Sequence, residues 1–180
     1  MDSHGLHQRP AAALMESRPM RTRRGGFSLI ELMMVLAVIA ILAMIALPNM
    51  QGRIVRDQIV EAARLTDIAK APIALTWSAT GTMPIDNAAA GLPSADKIVG
   101  NFVSALNVDH GAIHLTFGNS ANAAIHGKTL TLRPAVMADA PIVPVAWVCG
   151  AASAPQKMTL RGTDRTDVPP RYLPLNCRKG

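Results

Sequence analysis

An α+β fold is predicted for this chain: one long amino-terminal helix that, along its second half, lies over a small antiparallel sheet. Three observations predict it. Phe27–Leu47 is apolar apart from Glu31. Apolar residues from Ile54 to Ile68 recur at three- and four-residue spacing. Three stretches beyond Asp109 alternate apolar and polar residues.

The first element is the apolar run. About 20 apolar residues are needed to span a bilayer as a helix, so Phe27–Leu47 is expected to be transmembrane. A carboxylate inside such a span costs roughly 2.5–3.5 kcal/mol at its centre, which makes Glu31 a functional candidate. Arg21, Arg23 and Arg24 flank the run. They set residues 1–26 in the cytoplasm by the positive-inside rule, with the rest of the chain outside. A cleaved secretory signal has a shorter apolar core that ends at a small-residue site. Here no Ala-x-Ala pair closes the run before Pro48. A plain anchor accounts for the length of the run but not for Glu31 or the Gly26-Phe27 boundary.

The second element continues the helix beyond Pro48. Ile54, Val55, Ile59, Ala62, Ala63, Leu65 and Ile68 form one apolar stripe. Arg53, Asp57, Glu61 and Arg64 occupy the wetter side. Pro48, Gly52 and Pro72 weaken the helix without abolishing it. Run on to Trp77, it would extend roughly 75 Å. Ala79–Asp109, rich in Gly, Pro, Ala and Asn, reads as a long loop with a short helical turn near Ser94–Val99. The strands are expected at Ile113–Phe117, Lys128–Arg133 and Ile142–Cys149. Pro144 makes the last an edge strand or a bulged one. Their shared apolar face needs the amphipathic helix as cover. Gly150–Gly180 has little periodicity, and a loop that long needs a reason.

Composition narrows the function. The chain has 180 residues, a formal charge of +6 and a mean hydropathy of +0.22. Five arginines against two acids lie in residues 1–26, so half of the surplus charge sits there. Aromatic residues make up 3%, which leaves few platforms for stacking on single-stranded nucleic acid. Cys149 and Cys177, both on the expected outer side, favour one disulfide over a metal site. Closing that loop stabilises by roughly 3–4 kcal/mol in the chain-entropy account.

No enzyme or metal site emerges. His110 and His114 have a helical metal-ligand spacing, but they lie in a strand or turn, both toward its solvent face, and no third ligand is near. Gly127-Lys128-Thr129 matches the end of a phosphate loop, yet Asn122 stands where the first glycine belongs. Arg161, Arg165, Arg171, Arg178 and Lys179 alternate with Asp164 and Asp167, the pattern of a solvated surface. In a repeating assembly such a surface would gain weak DNA or surface binding through multivalency.

The order Gly26-Phe27-Ser28-Leu29-Ile30-Glu31-Leu32 ahead of the apolar run resembles the class III leader junction of type IV prepilins. The resemblance implies cleavage after Gly26, N-methylation of the new terminus at Phe27, and an assembly role for Glu31, which becomes the fifth residue. Trp147-Val148-Cys149 with Tyr172-Leu173-Pro174-Leu175-Asn176-Cys177-Arg178 resembles the bridged tail of type IVa pilins. Asp86–Leu92 and Gly127–Leu132 look like type IVa major-pilin segments too. The chain departs from the pattern at Pro72 and in the length of residues 1–26. Met20–Gly26 alone would be a leader of ordinary length, so Met20 is expected to be the true start, with Met15 a weaker candidate.

The resemblance implies three regions: a cleaved leader at 1–26, a transmembrane and assembly helix at 27–47, and an outer head of pilin fold at 48–180. It implies a structural subunit with no cofactor, held first in the inner membrane and then polymerised into an extracellular pilus. Ala37, Ala40, Ala43 and Ala46 allow close approach between neighbouring helices. The implied partners are further copies of the chain, a prepilin peptidase, an inner-membrane platform with its ATPases, and an outer-membrane secretin. Adhesion, twitching motility or DNA uptake would be the outcome. The alternatives are a minor pilin or a type II secretion pseudopilin, the latter disfavoured by the cysteine tail. From another class, a membrane-anchored binding module would need no free amine at Phe27.

Overall fold

The computed structural model describes residues 26–179, with the side chains of 46–51 outside that description. The expected leader and start site therefore lie outside the described residues, save for Gly26. Two compact units divide the chain, one ending at Ile41 and the other beginning at Leu42.

Helix α1 is Leu29–Arg64 and helix α2 is Asp67–Thr80. The single helix expected to run to Trp77 is thus interrupted, and not at Gly52 or Pro72. Leu65 and Thr66 turn their N–H groups to the carbonyls of Ala62 and Ala63, three residues back. The Thr66 hydroxyl also donates to the Ala63 carbonyl at 2.6 Å, so a side chain competes for the backbone acceptor and ends the turn. Pro72 sits inside α2. Gly81, at φ +69°, caps α2 by donating to the Trp77 carbonyl at 2.8 Å.

The sheet holds five strands: β1 Val103–Asp109, β2 Ala112–Phe117, β3 Thr129–Val136, β4 Ala146–Cys149 and β5 Thr159–Leu160. All pairings are antiparallel, in the order β1-β2-β3-β4, and β5 pairs with β3 beyond the end of β2. β1 corrects the long-loop reading of 79–109. Its register shifts between Val103 and Ala105, so Val103, Leu106 and Val108 share burial without strict alternation. The β1–β2 turn is His110-Gly111, with φ +49° and +82°, the two-residue geometry that suits a twisted hairpin. β3 runs past Arg133 through Pro134 because β5 takes over as neighbour. β4 is shorter than expected, since Ile142–Val145, with Pro144 among them, stays outside the ladder.

Val55, Ile59 and Ala62 from α1, with Ala69 and Ile73 from α2, belong to one core with Leu106, Ile113, Leu115, Leu130 and Leu132. Ile54 and Ile68 were expected in this stripe but are 51% and 48% exposed. The buried face keeps its helical spacing across the α1–α2 break, through Thr66, Ala69, Ile73 and Trp77.

The opposite face of the sheet is covered around His114 and Thr131, while Asn107 on β1 stays exposed. The segment 162–167 straps across it: Arg165 N–H donates to Thr131 Oγ1, Thr131 N–H to Thr166 Oγ1, and Asp167 accepts from Thr129 N–H. The chain then turns back, and Val168, Leu173 and Cys177 enter the helix-side core.

Candidate functional site

Gly26, Phe27 and Ser28 precede α1, and Phe27 is 82% exposed. Glu31 lies in the first turn of α1, where an anionic side chain suits the positive helix end. Its N–H donates to Ser28 Oγ at 3.2 Å. Ser28 thereby acts as the amino-terminal cap, a role the sequence reading missed although Ser-x-x-Glu is its signature. The cap fixes where the helix begins, and with it the one-turn spacing from Phe27 to Glu31. Among the described residues the Glu31 carboxylate joins no ion pair.

Every described side chain from Leu29 to Ile45 is exposed. A helix apolar all round has no stable home in water; it needs lipid or other helices around it. Among the described residues no helix is long and apolar enough to cross a membrane. The expectation of a membrane span at Phe27–Leu47 therefore rests on the sequence alone.

Cys149, at the end of β4, is bonded to Cys177 in the tail, with Cα atoms 4.5 Å apart and a sequence separation of 28. Gly150 permits this closure: at φ +55° its backbone passes so near Cys177 that an added Cβ would meet the Cys177 carbonyl oxygen at 2.6 Å. The tail is thus tied to the sheet edge covalently and to the core by Leu173.

The two histidines do not share a solvent face. His110 is exposed and its Nδ1 lies 2.6 Å from Asp109 Oδ1. His114 is 4% exposed beneath the strap, with Nδ1 3.0 Å from Thr131 Oγ1 and Nε2 without a hydrogen bond, 4.0 Å from Asp109 Oδ2. Burial, with Arg165 beside it, holds the His114 pKa below the usual imidazole value. The hydrogen bond to His110, aided by Arg165, holds Asp109 below the usual carboxylate range. Asp109 also pairs with the Arg165 guanidinium, which pins the strap to the β1–β2 turn.

Two family matches cover the chain. Residues 21–47 match the prokaryotic N-terminal methylation motif, and residues 55–178 match the pilin family of bacterial filaments. The type IV major pilin protein PilE of Neisseria gonorrhoeae is 34% identical over 170 residues, covering 88% of this chain and 96% of its own. The fimbrial protein EcpC of Eikenella corrodens is 34% identical over 158 residues, covering 85% of this chain and 90% of its own. The type IV major fimbrial protein FimA of Dichelobacter nodosus is 29% identical over 180 residues, covering 89% of this chain and all of its own. With its capped apolar helix, a strapped antiparallel sheet and a bridged tail, the chain belongs to the pilin family, whose members are structural filament subunits and not enzymes.

Proposed function

We propose that this chain is the major structural subunit of a type IV pilus. The observation that carries the reading is the methylation-motif match at 21–47 in register with Glu31, one turn beyond Phe27. The relatives named as major pilins support the major over the minor role. A prepilin peptidase cuts between Gly26 and Phe27 and the new terminal amine is methylated. Until assembly, Phe27–Leu47 holds the subunit in the inner membrane as a single span. The head, from residue 48 on, stays on the outer side.

Assembly exchanges lipid for neighbouring helices. Apolar packing is nearly indifferent to sliding, so register needs a polar contact. Glu31, with no ion pair among the described residues, finds the charged amine of Phe27 on the next subunit. A desolvated charge with one available partner fixes register. Methylation keeps that charge, whereas an uncut leader removes the amine altogether. The platform, ATPases and secretin implied by the family move the subunit from bilayer to extracellular filament. Adhesion, twitching motility or DNA uptake follows from the filament.

Amino-terminal sequencing of sheared surface filaments tests this reading. The sequence should begin at methylated Phe27. Filaments that retain residues 1–26 would overturn it.

A further inference from the structure

Just beyond the apolar run, α1 carries Arg53 and Arg56, both exposed. They follow Leu47 by about two turns, roughly 9–14 Å along the helix. Arg56 Nη2 donates to the Arg171 carbonyl at 2.9 Å, which brings the tail to the same level of the helix. The Arg171 guanidinium lies over the Tyr172 ring at 4.7 Å. Arg178 Nε donates to the Leu173 carbonyl at 3.0 Å. Arg56 and Arg171, from two segments far apart in sequence, are thereby brought together, with Arg53 three residues before Arg56 on α1 and Arg178 held near Leu173 in the same tail. Among the described residues none of the four is in an ion pair.

We infer that Arg53, Arg56, Arg171 and Arg178 form a docking surface for the phosphate headgroups of anionic phospholipid while the subunit resides in the bilayer. The inference rests on the proposed membrane stage. Three points carry it. The first is depth: each polar interface of a bilayer is about 5–8 Å thick. Side chains on a helix lean toward its amino terminus, so Arg53 and Arg56 reach back toward the lipid from two turns beyond the apolar end. The second is chemistry: a guanidinium held by one N–H on a backbone carbonyl keeps its remaining donors free and oriented, and its planar fork fits a phosphate. The third is bias. Cations on the outer flank of a span work against the positive-inside preference, so they are not explained by topology. Nucleic acid is less favoured, because Tyr172 is the only tyrosine and its ring is already covered by Arg171.

The test uses the full chain in nanodiscs of phosphatidylcholine with or without phosphatidylglycerol. It reads phosphatidylglycerol retained on extraction, by native mass spectrometry, and hydrogen exchange over residues 169–179. Phosphatidylglycerol should be enriched on the chain and should slow exchange there. Arg171→Gln, whose side chain holds no backbone group, should lower the enrichment about fivefold, the effect of one basic residue at an anionic leaflet. Combining it with Arg56→Gln and Arg178→Gln should abolish the enrichment, while Lys157→Gln should leave it unchanged. Equal enrichment in parent and triple variant overturns the inference. So does equal protection from millimolar inorganic phosphate in detergent, which would mark a free-anion site. Oligonucleotide binding that the triple variant loses, with no effect of lipid charge, would make the surface a nucleic-acid one. A chain that fails to enter bilayers of either composition would overturn the membrane stage itself, and this surface with it.

Discussion

Asn87 closes the free edge of the sheet against Val108: its Oδ1 accepts the Val108 N–H at 2.6 Å, and its Nδ2 donates to the carbonyls of Leu106 at 3.0 Å and Pro93 at 2.9 Å. One amide thus takes the place of a missing neighbour strand and pins the loop that follows α2. An unpaired edge invites pairing with other chains, and a buried side chain is one way to cover it. Asn87→Ala strands three backbone groups, and the head should lose about 2–4 kcal/mol in denaturant unfolding. Asn87→Asp keeps the acceptor and loses the two donors, so it should be intermediate or worse.

Ile59 is fully buried between α1 and the sheet, while Ile54 on the same helix is half exposed. In a soluble fragment starting at Arg53, Ile59→Asp should cost about 4 kcal/mol or more, since it buries an unpaired charge. Ile54→Asp should melt near its parent. Equal melts for the two variants would show that the helix does not cover the sheet.

Stability of the head should fall in mild acid. The folded state holds the His114 pKa below its ordinary 6.5. The unfolded chain therefore takes up more protons as pH drops below that value. The stabilisation is complete above about pH 6.5 and is lost as pH falls toward the depressed folded value. Asp109, also depressed, adds a second loss only below its ordinary 3.8. His114→Asn should flatten the first window in urea titrations across pH and leave the second in place.

Glu31→Ala should leave the protein in the membrane fraction and reduce surface filaments severely, as counted by electron microscopy. The helix becomes more apolar while the register contact disappears. Glu31→Gln, which keeps a hydrogen-bonding group, should be milder. Normal filament yield from Glu31→Ala would count against the pairing.

Cys177→Ser should destabilise the head by about 3 kcal/mol. Limited proteolysis should then cut first within the released tail, read by mass spectrometry.

The helix, its buried Val55-Ile59-Ala62 centre and three of the strands were legible in the sequence, because each carries a period. β1 escaped because the shift between Val103 and Ala105 breaks alternation where a reader looks for it. His110-Gly111 is also a less familiar hairpin turn than Asn-Gly. His114 read as solvent-facing because the strap that covers it comes from about 50 residues later and has no periodicity of its own. The helix break at Leu65-Thr66 was hidden for a similar reason: a threonine hydroxyl turned on its own backbone leaves no pattern in the hydropathy. Ser28, three residues before Glu31, was legible as a cap in the sequence.

The strap has a consequence for the order of events in the cell. Segment 162–167 covers the His114–Thr131 part of one face of the sheet, and Val168, Leu173 and Cys177 complete the other. Both faces therefore wait for the last residues to be synthesised. A nascent head lacking them would carry a half-clad sheet, prone to stick to its neighbours. Docking of the final turn, closure of the disulfide and burial of His114 thus become one maturation step, and a subunit that has not taken it should not be fit to join a filament.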